Sequence, residues 1–424
     1  MRDVFKILIK DFVSKELPAI NAREILLPLN SKKIISVIGA RRVGKTYLLF
    51  GAIKRLREKY HKSRIVYINF EDDRLFPLSV GKLNDFIEGY YELYPENKRK
   101  TVWFFFDEVQ NVERWELFIR RIYDNEKCKI FITGSSSKLL TKELAASLRG
   151  RTIAYEVFPY SFKEYLNLKN VSIDFYHSET RARIVNLFDK YLFSSAYPEV
   201  INATKFEKGK ILSEYLNLLI YKDVVERYKI KNLFLIKYLL KFFVTNSASL
   251  LSVNKIYNDI KSQGISVSKD AIFQYLEYLQ DSFVLFPVTI HSRNLREIQR
   301  NPRKIYLLDN GFIDAMEAGK NAGKRFENIA FLEFRRKGKE VSYFKKNGEV
   351  DFCVTENRRI ELFNAAYSIA DRATKEREIK SLLEGMKYFN IKESFLLTNN
   401  HEEKLTVDNY EINIMPLWKW LLGK

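Results

Sequence analysis

Gly39-Ala40-Arg41-Arg42-Val43-Gly44-Lys45-Thr46 lies between an apolar run, IISVI (34–38), and the segment TYLLFGAIKRLREKY (46–60). The run reads as a buried strand. In the segment, Leu49, Ala52, Ile53, Leu56 and Tyr60 recur at helical spacing. Strand, glycine-bearing loop and helix, in that order, are the context in which G-x-x-x-x-G-K-[ST] is a phosphate-binding loop. The glycines let backbone N–H groups turn inward around phosphates. The helix N-terminus adds a favourable dipole. Lys45 then reaches the β- and γ-phosphates, and the Thr46 hydroxyl ligates Mg²⁺. Residues 39–46 with Tyr47 are the predicted nucleotide-binding stretch, and ATP and Mg²⁺ the predicted cofactors.

Outward from this loop, strand-like runs fall at 65–70 (IVYINF), 102–106 (VWFFF), 130–133 (IFIT) and 153–158 (IAYEVF), mostly separated by helix-like segments. That alternation predicts an α/β fold with a mostly parallel sheet covered on both faces. The run VWFFF delivers Asp107 and Glu108 to its carboxyl end. Asp107 is placed to hold the Mg²⁺ shell and Glu108 to take a proton from the attacking water. At the end of the next run, Thr133 or Ser135 is a candidate to orient that water or read the γ-phosphate. Either equally suits a helix cap for the residues that follow. The stretch Leu148-Arg149-Gly150-Arg151 offers two arginines. One of them would serve as a finger on a neighbouring copy's ATP, which points to a homo-oligomer, or both simply contact phosphate or solvent.

After Pro159 strand signals fade. Residues 161–232 read as a helical lid or connecting region. Residues 233–290 read as a winged-helix module: Ser252 caps one helix that stops at Gly264, Ser268 caps a second (KDAIFQYLEYLQ), and SFVLFPV is a strand. HSRNLREIQRNPRK (291–304) reads as an exposed basic linker. Lys269, Arg293, Arg296, Arg300, Arg303 and Lys304 are expected on nucleic-acid phosphates. The remainder returns to mixed α and β.

The chain has 424 residues, of which 46% are hydrophobic and 29% charged, so general disorder is excluded. Lys and Arg total 72 against 53 Asp and Glu, a net charge of +19. An excess of that size favours a polyanionic partner, with DNA expected. No stretch approaches the roughly 18 consecutive apolar residues of a membrane span. The start, MRDVFKILIKDF, lacks the small-residue cleavage site of a signal peptide. Cys128 and Cys353 match no metal or disulfide spacing, so a reduced, cytoplasmic chain is expected.

The series GARRVGKT, FFFDEVQNVERWE, FITGSSSKLL and LRGR, followed by FPYSFKEYL and SAYPEV, resembles the AAA+ superfamily ATPases common in archaea that carry a DUF4143-like C-terminal domain. The resemblance covers nearly the whole chain. It implies a P-loop AAA+ core over 1–160, a helical lid, a winged-helix module, and a domain over 291–424 related to the PD-(D/E)xK nuclease fold. In that last domain Glu327, Asp351 and Glu361 match the acidic positions of such a nuclease, while Phe363 stands where the lysine belongs. Strand alternation puts Glu361 and Phe363 on one face. A degenerate site is therefore expected, unless a lysine such as Lys345 or Lys346 arrives from another element. The expected activity is ATP hydrolysis on DNA. The alternatives are a nucleotide-dependent switch regulating a partner protein and, third, an active Mg²⁺-dependent nuclease.

Overall fold

The computed structural model describes residues 1–136, 148 and 150–423. It divides into two compact units, Met1–Val157 and Phe158–Lys424. Among the described residues no helix is long and apolar enough to cross a membrane.

The first unit is a P-loop AAA+ core built on a parallel sheet. Its described strands are β1 (Ile34–Ile38), β2 (Ile65–Asn69), β3 (Val102–Asp107), β4 (Cys128–Gly134) and β5 (Thr152–Glu156), in the order β2-β3-β4-β1-β5. Each neighbouring pair is parallel. All residues of β1 and β3 are buried, as a sheet covered on both faces requires. The covering helices include α1 (Arg2–Ser14), α2 (Lys45–Arg57), α3 (Asn84–Leu93) and α4 (Trp115–Asn125). On one face Phe86 of α3 meets Phe104 and Phe106 of β3 edge-on, both at 5.4 Å, and Phe106 meets Phe118 of α4 at 5.9 Å. Because β1, β3 and β4 run parallel and side by side, the loops after them emerge at one edge of the sheet. That edge is where a ligand can meet all three.

In the second unit, helices come first: α5 (Phe162–Leu168), α6 (Ser178–Leu192), α7 (Lys205–Leu218) and α8 (Leu233–Thr245). Ser161 and Glu164 form a reciprocal cap that fixes where α5 begins. There follow β6 (Leu250–Leu251), α9 (Val253–Ser262), α10 (Lys269–Asp281), β7 (Leu285–Val288), α11 (Leu295–Arg300) and β8 (Arg303–Leu307). Ser252 and Ser268 accept from the backbone N–H groups of Lys255 and Ala271 and cap α9 and α10. One expectation is corrected here. Residues 291–304 are not a linker. They contain α11 and enter β8, which lies between β6 and β7 in one antiparallel three-stranded sheet. A boundary at 290 would cut that sheet.

The remainder holds α12 (Ala322–Arg336), β9 (Glu340–Lys345), β10 (Glu349–Glu356), β11 (Arg359–Ala366), α13 (Arg372–Phe389), β12 (Glu393–Thr398), β13 (Glu403–Val407) and β14 (Tyr410–Pro416). The strands form a mixed sheet in the order β13-β14-β12-β11-β10-β9. Asp408 and Asn409, with φ of 49° and 67°, make the two-residue turn between β13 and β14. Leu382 and Met386 of α13 pack with Val350, Leu362 and Leu396 in one core.

Candidate functional site

The loop after β1 is shaped by its two glycines. A Cβ at Gly39 would collide with the Val157 carbonyl oxygen, so only glycine lets the chain after β5 pass this close. Gly44 has φ of 99° at the entry to α2, a conformation that other residues rarely adopt. Arg23 donates to the Val43 carbonyl at 3.0 Å and ties the loop's far side down. Arg41 pairs with Glu71 at 2.9 Å, Arg42 has φ of 66°, and Tyr47 is 51% exposed with its ring edge-on to Phe50.

Lys45 is only 4% exposed. Its ammonium donates to the Gly39 and Ala40 carbonyls, both at 3.1 Å, and lies 3.2 Å from Glu108 Oε1. Those three partners occupy its three donors. They are the partners a phosphate would replace.

Thr46 Oγ1 donates to Asp107 Oδ2 at 2.7 Å. Tyr67 donates to the same oxygen at 2.7 Å, and Thr133 donates to Oδ1. Burial, reinforced by the neighbouring Glu108 charge, pushes the Asp107 carboxyl above its ordinary pKa, and the three hydroxyls oppose that rise. Glu108 has φ of 53° and its N–H donates to Thr133 Oγ1 at 2.9 Å. Burial pushes its pKa up, but the Lys45 ammonium and the Gln110 amide outweigh burial and hold it below the usual value. Glu108 is thus ionised and able to accept a proton. Gln110 Nε2 donates to Glu108 Oε2 and lies 3.4 Å from Ser135 Oγ.

The structure therefore brings Lys45, Thr46, Asp107, Glu108, Thr133 and, through Gln110, Ser135 together at one sheet edge. Thr133 is bonded to both acidic residues, donating to Asp107 Oδ1 and accepting from the Glu108 N–H. Arg151 is not part of this group. It precedes Thr152, which pairs with the first residue of β1, so it sits at the opposite end of the strands. There it pairs with Asp124 at 3.0 Å. Arg149 lies outside the described residues.

Tyr67 and Gln110 escape a reading of the sequence. For Tyr67 a signal exists: it is two residues before Asn69, which pairs with Asp107 across β2 and β3, so alternation aims it at the carboxylate once strand order is known. Tyr67→Phe keeps the ring packing against Phe12 (4.9 Å) and Phe50 (5.2 Å) and removes one hydrogen bond to Asp107. The Mg²⁺ concentration giving half-maximal hydrolysis should rise by about 10- to 150-fold, since one bond to a charged group contributes about 1.5–3 kcal/mol. An unchanged Mg²⁺ requirement would show that the two threonines suffice.

In the second unit, Glu327 and Asp351 meet, but Glu361 does not join them. It is exposed and pairs with Val354 in the ladder, while Phe352 pairs with Phe363. Phe363 faces Phe395 and Phe334, both at 4.8 Å, in an apolar layer, so it does not stand at the polar site at all. The third carboxylate is Glu349. The lysine is neither Lys345, which pairs with Glu349 at 3.3 Å, nor Lys346, which lies 4.0 Å over the Tyr388 ring. It is Lys304, which is 2% exposed and so cannot be a surface phosphate contact. Lys269, Arg293, Arg296 and Arg300 are exposed; Arg303 is half-buried, 5.7 Å over Phe273.

A family model described as AAA domain matches residues 31–166, and one described as a domain of unknown function (DUF8612) matches 185–323. The model matched after the core is thus DUF8612, where a DUF4143-like domain was expected. Uncharacterized protein MJ1544 of Methanocaldococcus jannaschii is 37% identical over 97% of this chain and 92% of its own length. An uncharacterized protein of Haemophilus influenzae is 28% identical over 96% of this chain and 99% of its own. Among solved structures, the Aeropyrum pernix ORC1 protein in complex with DNA aligns over 78% of this chain and 93% of that one, with 13% identity and a TM-score of 0.29. At that TM-score the likeness assigns nothing to this chain.

Proposed function

We propose a task for this chain, which belongs to the same family as uncharacterized protein MJ1544 of Methanocaldococcus jannaschii and matches an AAA domain over residues 31–166: it binds ATP with Mg²⁺, hydrolyses it, and does so while bound to nucleic acid. The observation that carries the ATPase reading is that Lys45 pairs with Glu108 and Thr46 with Asp107, two contacts side by side at one edge of the sheet. The Thr46 hydroxyl and the Asp107 carboxylate, 2.7 Å apart, are hard oxygen donors of the kind Mg²⁺ takes. Mg²⁺, when bound, neutralises charge on the phosphates. Lys45 moves from the Gly39 and Ala40 carbonyls to the phosphates. Glu108, released from Lys45 and held by Gln110, accepts the proton of the attacking water. An arginine of a second copy, Arg149 or Arg151, completes the charge around the γ-phosphate in the same proposal, and the chain works in the cytoplasm.

The nucleic-acid part rests on the +19 charge and on the exposed cations of α10, α11 and the segment before it. A winged helix built from α9, α10 and the β6-β8-β7 sheet is the module assigned to it. Exchanging Arg296 and Arg300 together for Glu should weaken DNA binding and lower its salt slope by about two, one per lost phosphate contact. Fluorescence anisotropy across a salt series measures both. An unchanged affinity would place the contact elsewhere. A salt-independent affinity would favour a switch that acts on a partner protein instead.

A further inference from the structure

Lys304 leaves the exposed arginine run and turns inward on β8. Its Nζ lies 2.7 Å from Asp351 Oδ1, 2.8 Å from Glu349 Oε1 and 3.1 Å from Glu327 Oε1, with the side chain 3% exposed. Tyr306, two residues on along the same strand, donates to Glu327 Oε1 at 2.7 Å. The other oxygen of Asp351 accepts from the Ala365 N–H at 2.9 Å. In β10 the register against β9 shifts between Val350 and Cys353, and that irregular stretch carries Asp351. Burial opposes the charge on Lys304, yet Asp351 and Glu327 outweigh it and hold the ammonium well above its usual pKa. Burial raises Glu327 to about 7 even with Lys304 beside it. These groups line or underlie a cleft of about 750 Å³ whose other charged walls are Lys324, Lys345, Arg377 and Glu378.

The nuclease fold that the sequence resembles implies a divalent metal on such carboxylates. A lysine that aids the nucleophile of such a nuclease stands beside the metal and does not exclude it; the Lys304 ammonium instead lies on the carboxylate oxygens themselves, where the metal would sit, and so the residues present do not fit one. An ammonium is already within 3.1 Å of an oxygen on each of the three carboxylates, and nothing separates it from a dication placed on the same atoms. Two cations at that separation would repel. We propose that Lys304 is the resident cation of this cleft: its ammonium stands where a divalent metal would, so the carboxylates are held together without metal and the cleft does not cut nucleic acid. Its task is to hold β8 of the three-stranded sheet to α12 and β10. The proposal is independent of the ATPase reading.

The test uses the full chain without nucleotide, in an Asp107→Asn background so that the other metal-binding carboxylate is absent. Mn²⁺ binding is followed by electron paramagnetic resonance and by the melting temperature. With Lys304 present, no Mn²⁺ binding should depend on Asp351. Lys304→Met leaves three clustered, partly buried carboxylates without the ammonium they share and should lower the melting temperature. Mn²⁺ should restore it, bind at least about 100-fold more tightly than to the lysine-containing protein, and be lost again on adding Asp351→Asn. Mn²⁺ held by the lysine-containing protein and released by Asp351→Asn would overturn the proposal. So would a folded Lys304→Met protein that gains no Mn²⁺ affinity, or nucleic-acid cleavage by the parent chain that Asp351→Ala abolishes. If Lys304→Met does not fold, the first measurement decides alone.

Discussion

Glu108→Gln should leave ATP binding intact and slow steady-state phosphate release by about 10²–10⁴-fold, the usual effect of removing a general base. The amide preserves size and still meets Gln110, so the loop after β3 keeps its shape. It cannot accept a proton from water. Glu108 is suited to that task because Lys45 and Gln110 hold it ionised until phosphate arrives, and Gln110 still holds it once Lys45 has left. The substitution also removes the ion partner that Lys45 gives up when phosphate arrives, so binding should not weaken. Hydrolysis at the parent rate would move the water-activating group away from Glu108.

Lys45→Ala should weaken ATP binding at least about 100-fold, since two charge-assisted hydrogen bonds at about 1.5–3 kcal/mol each are lost. Lys45 is the buried cation that the loop itself supplies: Arg41 is turned to Glu71, and Arg23 to the Val43 carbonyl. Calorimetry with Mg·ATP reads the loss. A melting curve checks that the protein, left with Glu108 unpaired, still folds. Unchanged affinity would remove the loop from nucleotide binding.

Much of this site is legible along the sequence because its parts are local. GARRVGKT places glycines, lysine and threonine within eight residues, and VWFFFDE places the acids at the end of a strand. What those residues do to one another is not local. That Thr133 and Tyr67 both reach Asp107 follows only from the order β2-β3-β4, which no single run of residues states. The same limit explains the errors in the second unit. Lys304 closes a polar, basic stretch and reads as solvated, because its partners Glu327 and Asp351 are 23 and 47 residues away. Glu361 and Phe363 satisfy a sequence spacing, yet the ladder sets Glu361 against Val354 and turns Phe363 into the apolar layer. The β13–β14 hairpin escapes notice because charged residues interrupt its alternation, although Asp408-Asn409 is a turn signal.

The most direct measurement is phosphate release from ATP by the purified full chain, with Mg²⁺ and with a chelator, each with and without DNA. The account predicts release that requires Mg²⁺ and disappears in the Lys45→Ala protein. ATP bound tightly by the parent chain, with no phosphate released under any of the four conditions, would contradict it.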